Sequence, residues 1–197
     1  MAQGQAPLRQ NGAVTSNFPL ARSGKPGYRT DEVDSFLNSA RIAFSATPGS
    51  DDALSADDIR HTAFRVVRAK GYSARHVDAA LERLEEAFAG REREHAIAAQ
   101  GSETYYAEAR AIAQEIIDRL ARPTGAQFRR VSFLTRGYHP ADVDLFTTRV
   151  SAYFERGQPL SIETVRTVAF RPRYRGYHEG QVDLLLDTVI RLILAVR

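Results

Sequence analysis

The side chains that most often carry out catalysis do not form a recognisable catalytic arrangement in this sequence. The five histidines are spread along the chain, and no pair of them has the HExxH spacing of a zinc-binding helix. The phosphate-binding patterns GxGxxG and GxxxxGKS/T do not occur, and a chain without cysteine has neither disulfides nor thiolate metal ligands. We therefore predict a non-enzymatic protein with no catalytic residue, metal, cofactor or small-molecule substrate.

Four aspartates are the most regular charged residues, because each follows a Gly-Tyr pair at the same distance. The pattern is Gly-Tyr, four residues and then Val-Asp, and it occurs four times. The copies are Gly27-Tyr28 with Val33-Asp34, Gly71-Tyr72 with Val77-Asp78, Gly137-Tyr138 with Val143-Asp144, and Gly176-Tyr177 with Val182-Asp183. An acid–base role is one interpretation, but a structural tie between each helix start and the preceding turn is favoured. Lys70, Arg136 and Arg175, which precede three of the glycines, are the candidate partners.

The four repeated tyrosines are open to two interpretations. They form either an exposed binding platform or part of the core, and a large aromatic residue at a fixed place in every repeat favours the core. We expect each tyrosine to be buried against the helix of its own copy.

Each Gly-Tyr pair is followed by residues with helical periodicity. In the first copy Val33, Phe36, Leu37, Ala40 and Phe44 fall on one helical face, and the other three copies have the same spacing. Glycine suits a left-handed turn before such a helix, and Pro140 fits a first helical turn. The sequence therefore predicts an all-α fold of four turn-helix repeats, without a β-sheet.

The copies alternate between two types, which predicts a duplicated pair. The segment 54–64 before the second Gly-Tyr matches the segment 160–170 before the fourth, with Ser55 and Ser161 as helix N-caps. The first and third copies lack this short helix. The expected organisation is a disordered tail (1–17), a first motif pair (18–101), a connecting helix and turn (102–125) and a second motif pair (126–197).

The charge distribution leaves the type of partner open. The net charge is only +3, but Arg171, Arg173, Tyr174 and Arg175 form an arginine–aromatic cluster that suits an anionic partner as well as a solvated loop. Pro172 is expected to end the preceding helix and make this segment a projecting turn. No stretch reaches the roughly 18 continuous apolar residues of a membrane span. Any membrane contact is therefore expected to be peripheral.

A DNA-binding regulator is the competing interpretation. The short helix, turn and longer helix around Gly71 have the order of a helix-turn-helix domain. However, the longer helix carries Asp78, Glu82, Glu85 and Glu86, whereas a DNA-reading helix is expected to present a basic face. Binding to nucleic acid is therefore the less favoured alternative.

The last repeat closely resembles the N-terminal domain of DivIVA, a bacterial cell-division and polar-growth scaffold. The resemblance rests on Leu160-Ser161, Val165, Phe170, Tyr174-Arg175-Gly176-Tyr177, Val182-Asp183 and Leu185-Leu186, and the first repeat adds Glu32-Val33-Asp34 and Phe36-Leu37. It covers about residues 18–90 and 128–197. In that family an aromatic–arginine pair at the turn contacts the membrane, which Tyr174-Arg175 matches in type, and parallel dimers extend into a coiled coil.

This resemblance implies a cytoplasmic interaction or scaffold protein of cell division or envelope growth. It also implies protein partners, with self-association into a dimer as one option, and peripheral contact with anionic lipid at the inner face of the membrane. The sequence leaves the partner and the oligomeric state open.

Overall fold

The structure is a computed structural model that describes residues 18–46 and 54–197. These residues are mostly helical, as the periodicity predicts. The tail expected at 1–17 lies outside the described residues, as does most of the loop expected between the first two helices. The chain divides into two compact units, Met1–Glu92 and Arg93–Arg197.

Seven helices occur in the described ranges, and their ends follow local sequence signals. They are α1 (Thr30–Ser45), α2 (Ala56–Arg60), α3 (Ala74–Gln100), α4 (Ser102–Leu120), α5 (Pro140–Arg156), α6 (Ile162–Thr167) and α7 (Glu179–Ala195). The side chains of Ser55 and Ser161 accept backbone hydrogen bonds at the starts of α2 and α6, as expected of N-caps. Pro140 is the first residue of α5, and Gly157 ends that helix in the left-handed conformation.

The expectation that no β-sheet forms was wrong. Two small antiparallel sheets occur, one in each unit: β1 (Gly27–Tyr28) pairs with β2 (Val66–Val67), and β3 (Arg136–Tyr138) pairs with β4 (Pro172–Tyr174). In each sheet the first strand contains a Gly-Tyr pair and the second lies just before the next Gly-Tyr pair. Strands of two or three residues are too short to show the alternation that identifies a strand in a sequence.

In the first unit the apolar faces of α1 and α3 form the core. Val33 and Val77, at the same position of two copies, are fully buried and pack with Tyr72. A second cluster joins Phe88 to Ile59 of the short helix α2. The helical periodicity therefore identified most of the buried positions in this unit, but Phe44, expected on the apolar face of α1, is 42% exposed.

In the second unit, α7 is the most buried helix, as its broad apolar surface predicts. Val182 and Val189 are fully buried, and Ile190, Leu192, Ile193 and Leu194 are nearly so. Helix α4 packs against both α5 and α7, and α6 packs against α7. The connecting segment expected at 102–125 contains α4, and Ile116 and Leu120 of this helix are buried.

Candidate functional site

The two Gly-Tyr segments of each unit lie side by side and exchange backbone hydrogen bonds. In the first unit the Tyr28 N–H donates to the Tyr72 carbonyl at 2.9 Å, and the Tyr72 N–H donates to the Tyr28 carbonyl at 2.7 Å. In the second unit Tyr138 and Tyr177 form the same two bonds, at 3.0 and 2.8 Å. Each unit is therefore built around a crossing of two extended segments, which we call the Gly-Tyr crossing.

Glycine is needed at the Gly-Tyr crossing because the backbones approach so closely. A Cβ atom on Gly27 would lie 2.5 Å from the Tyr72 carbonyl oxygen, and one on Gly137 would lie 2.2 Å from the Tyr177 carbonyl oxygen. In the second and fourth copies the expected left-handed conformation occurs one residue before the glycine, since Lys70 and Arg175 have φ of 56°. The repeated glycine therefore serves close contact rather than an unusual φ.

The repeated tyrosines and aspartates are paired between copies rather than within them. The Tyr177 hydroxyl donates to Asp144 Oδ1 at 2.8 Å, and the Tyr72 hydroxyl donates to the Asp34 carboxylate at 3.2–3.3 Å. The reverse bonds join Tyr28 to Asp78 and Tyr138 to Asp183. The interpretation that each aspartate ties its helix to its own preceding turn, with Lys70, Arg136 or Arg175 as partner, was therefore wrong.

The tyrosines of the second and fourth copies are more deeply buried than those of the first and third copies. Tyr177 is fully buried and Tyr72 nearly so, whereas Tyr28 and Tyr138 are half-buried. Burial, with a smaller effect from the paired aspartates, raises the pKa of Tyr138 and of Tyr177 to about 12. In the first unit the same causes raise the pKa of Tyr28 and the pKa of Tyr72. These hydroxyls therefore remain protonated donors at neutral pH.

The arginine–aromatic cluster at 171–175 is only partly available to a partner. Arg171 is held by Asp142, whose carboxylate it contacts through Nε at 2.8 Å and Nη2 at 2.6 Å. This ion pair holds the pKa of the Asp142 carboxyl well below its usual range. Strand β4 occupies the place of the expected projecting turn. Tyr174, its last residue, is 55% exposed, and the Arg136 Cζ lies 4.9 Å from the centre of the Tyr174 ring.

A more exposed apolar feature lies close by in the chain, and the sequence reasoning missed it. A hydrogen bond from the Thr135 N–H to the Ser132 carbonyl, at 3.0 Å, closes a turn whose two central residues are Phe133 and Leu134. Their side chains are 68% and 76% exposed. We call these four residues the Phe-Leu turn. Two adjacent large apolar residues in a short stretch without helical periodicity were the signal that could have identified it.

The corresponding turn of the first unit has no apolar side chain. There the Lys25 N–H donates to the Arg22 carbonyl at 2.9 Å, and the two central residues are Ser23 and Gly24. A turn in this place therefore does not require phenylalanine or leucine, so these two side chains are not explained by folding.

Residues 18–46 and 54–197 contain no cluster of histidine, aspartate or glutamate that could hold a metal ion. The helices within these ranges are also too short or too polar to cross a bilayer. Comparison of the chain with protein-family models, curated proteins and solved structures finds no match.

Proposed function

We propose that this chain is a non-enzymatic interaction protein that attaches reversibly to anionic membrane through its second unit. The observation that carries the proposal is the Phe-Leu turn, which exposes two large apolar side chains beside cationic residues. Arg136 directly follows this turn and begins strand β3. Strand β4, which pairs with β3, contains Arg173, and Arg175 comes directly after β4. Apolar side chains that enter the acyl region, ringed by arginines at the phosphates, suit the surface of an anionic bilayer.

The strength of such a contact follows from the groups involved. Full burial of a phenylalanine or leucine stabilises by about 1.5–3 kcal/mol, and partial insertion of Phe133 and Leu134 would contribute about 2–4 kcal/mol together. Each nearby arginine adds about 1 kcal/mol at an anionic surface. A single tip of this kind gives weak attachment, so a second copy or a membrane-bound partner would be needed for stable localisation.

Corresponding contacts in the two units support the further proposal that they are duplicated pairs of a DivIVA-type motif. Both units have the Gly-Tyr crossing, the exchanged Tyr–Asp bonds and a corresponding edge-on aromatic pair, Phe18–Tyr72 in the first and Phe128–Tyr177 in the second. The DivIVA-like residues of the last repeat favour a role in cell division or envelope growth, at the inner face of the membrane.

Sedimentation with vesicles tests the proposed membrane contact. We expect the full chain to bind vesicles that contain phosphatidylglycerol, more weakly at high salt, and to bind neutral phosphatidylcholine vesicles poorly. Replacing Phe133→Ser and Leu134→Gly gives this turn the two central residues of its counterpart in the first unit, Ser23 and Gly24. This variant should bind roughly 30-fold to 1,000-fold more weakly, which corresponds to the loss of about 2–4 kcal/mol.

The matched control is Leu184→Ser, which removes a leucine that is 62% exposed on the surface of α7. It should leave vesicle binding unchanged. Equal binding of the Phe-Leu variant and the unaltered chain would reject the proposal. Salt-sensitive binding to duplex DNA without vesicle binding would favour the DNA-binding alternative instead.

A further inference from the structure

An open cleft of about 960 Å³ lies beside the Gly-Tyr crossing of the second unit. Its walls bring Arg130 together with Arg173 and Arg175, which lie more than 40 residues later in the sequence. The hydroxyl-bearing residues Thr124 and Ser132 line the same cleft. Its lining is therefore rich in hydrogen-bond donors.

The guanidinium of Arg130 is held in place by neutral groups. Its Nε donates to the Gly125 carbonyl at 3.2 Å, its Nη1 donates to the Arg175 carbonyl at 3.1 Å, and its Cζ lies 4.9 Å from the centre of the Tyr177 ring. Within the part of the chain that the structure describes, no carboxylate pairs with it. Its positive charge is therefore fixed in position and available to a ligand.

Arg173 is positioned in a similar way by a hydrogen bond to an imidazole ring. Its Nη1 lies 2.9 Å from His139 Nε2. A guanidinium only donates, so this imidazole nitrogen is the acceptor of the bond. The bond orients the Arg173 side chain without cancelling its charge.

The acidic groups nearest the cleft are already engaged. Asp144 accepts from the Tyr177 hydroxyl at 2.8 Å and from the Gly125 N–H at 2.9 Å. Asp142 is paired with Arg171. Three arginines against one engaged carboxylate leave the lining of the cleft positively charged.

We propose that this cleft binds a phosphoryl group, with Arg130 and Arg173 as its principal donors. Guanidinium groups bind phosphate oxygens through paired, charge-assisted hydrogen bonds, and fixed guanidiniums lose little entropy when they do so. The phosphoryl group belongs either to a soluble phosphate ester or to a phospholipid head group. The inference does not depend on the proposed membrane contact, because a soluble phosphate is sufficient to test it.

The first unit lacks the two principal donors of this cleft, although Lys70 stands at the position of Arg175. Leu20 stands at the position of Arg130, Val67 at that of Arg173, and Arg29 at that of His139, where it is paired with Asp31. The arginines of the cleft are therefore not required by the Gly-Tyr crossing itself.

Nuclear magnetic resonance of the arginine Nε–H groups in the full chain gives a direct test. Inorganic phosphate at neutral pH is titrated against sodium chloride of equal ionic strength. We expect saturable shifts with phosphate only, and at least tenfold weaker binding in Arg130→Gln and in Arg173→Gln. The control Arg68→Gln changes an exposed arginine of the first unit and should bind phosphate as the unaltered chain does.

A third variant keeps the test decisive if Arg130→Gln disturbs folding. Arg175→Gly removes a guanidinium at a left-handed position that glycine adopts freely, and it should also weaken phosphate binding. Phosphate shifts no larger than those with chloride, or unchanged binding in Arg130→Gln and Arg173→Gln, would overturn the inference.

The same variants distinguish the two sources of the phosphoryl group and separate this site from the membrane contact. Phe133 lines the cleft but Leu134 does not, so binding of glycerol phosphate that survives the Leu134→Gly change supports a soluble ester. Tighter binding to phosphatidic acid vesicles, lost in Arg130→Gln, supports a head group. Vesicle binding without any response to soluble phosphate would reject the cleft site and leave the proposed membrane contact standing.

Discussion

Removal of one hydroxyl group, by Tyr177→Phe, tests the role of the exchanged Tyr–Asp bonds. The ring of Tyr177 is fully buried, and its hydroxyl donates to Asp144 Oδ1 at 2.8 Å. Asp144 is also buried, so loss of this donor leaves its carboxylate with fewer partners out of reach of water. Tyr177→Ala would additionally remove the packing of the ring, about 3–5 kcal/mol, and would therefore not isolate the hydrogen bond.

The expected magnitude comes from the geometry of the two buried tyrosines. A hydrogen bond to a charged group contributes about 1.5–3 kcal/mol, and the short, buried bond of Tyr177 belongs at the upper end of that range. Tyr72→Phe is the matched comparison in the first unit, where the bond to Asp34 is 3.2–3.3 Å long and Asp34 is only half-buried. We expect a loss of about 2–3 kcal/mol for Tyr177→Phe and about 0.5–1.5 kcal/mol for Tyr72→Phe.

Urea unfolding of the full chain, followed by circular dichroism, measures both losses. Because the chain has two units, each variant should shift one part of the transition more than the other. A double-mutant cycle of Tyr177→Phe with Asp144→Asn isolates the pair, and we expect a coupling energy above about 1 kcal/mol. Equal losses for the two tyrosines would refute the expected dependence on bond length and burial, and a coupling energy near zero would refute the view that these bonds hold the crossing together.

Two further changes test the crossing. Gly137→Ala should destabilise the chain by about 3 kcal/mol or more, because the new Cβ would lie 2.2 Å from the Tyr177 carbonyl oxygen. Gly180→Ala, in helix α7 of the same unit, should instead be neutral or stabilising in thermal melts, and similar losses for both would argue against the close approach. Stability should also fall as the pH rises from 10 to 12, because unfolded tyrosines lose protons near 10 whereas Tyr138 and Tyr177 keep theirs until about 12. In a pH titration the tyrosinate absorbance should then rise partly near pH 12, and this rise should be smaller in Tyr138→Phe and in Tyr177→Phe. An unchanged rise near pH 12 in both variants would show that it does not come from these two tyrosines.

The helices of this chain could be predicted from the sequence because their stabilising contacts are periodic. The spacing that starts at Val33 identified a buried face, and Ser161 and Pro140 marked helix starts. Such signals act within one or two helical turns, so they can be read from adjacent residues.

The sheets and the pairing of the tyrosines could not be read in this way, because they depend on residues far apart in the chain. A periodic pattern shows that Tyr177 recurs with Asp183, but it does not show that the hydroxyl reaches Asp144 instead. The candidate site had the same difficulty. Arg171 looked available in the sequence, whereas its ion pair with Asp142 appears only when the two segments come together.

The exchanged Tyr–Asp bonds also bear on how the chain folds. Tyr72 is 38 residues from its partner Asp34, and Tyr177 is 33 residues from its partner Asp144. Isolated helices form within about a microsecond, but contacts between distant residues slow folding because the intervening chain must first be ordered. We therefore expect folding slower than the helical content suggests. During synthesis, the first unit cannot complete its crossing until its second Gly-Tyr pair has left the ribosome.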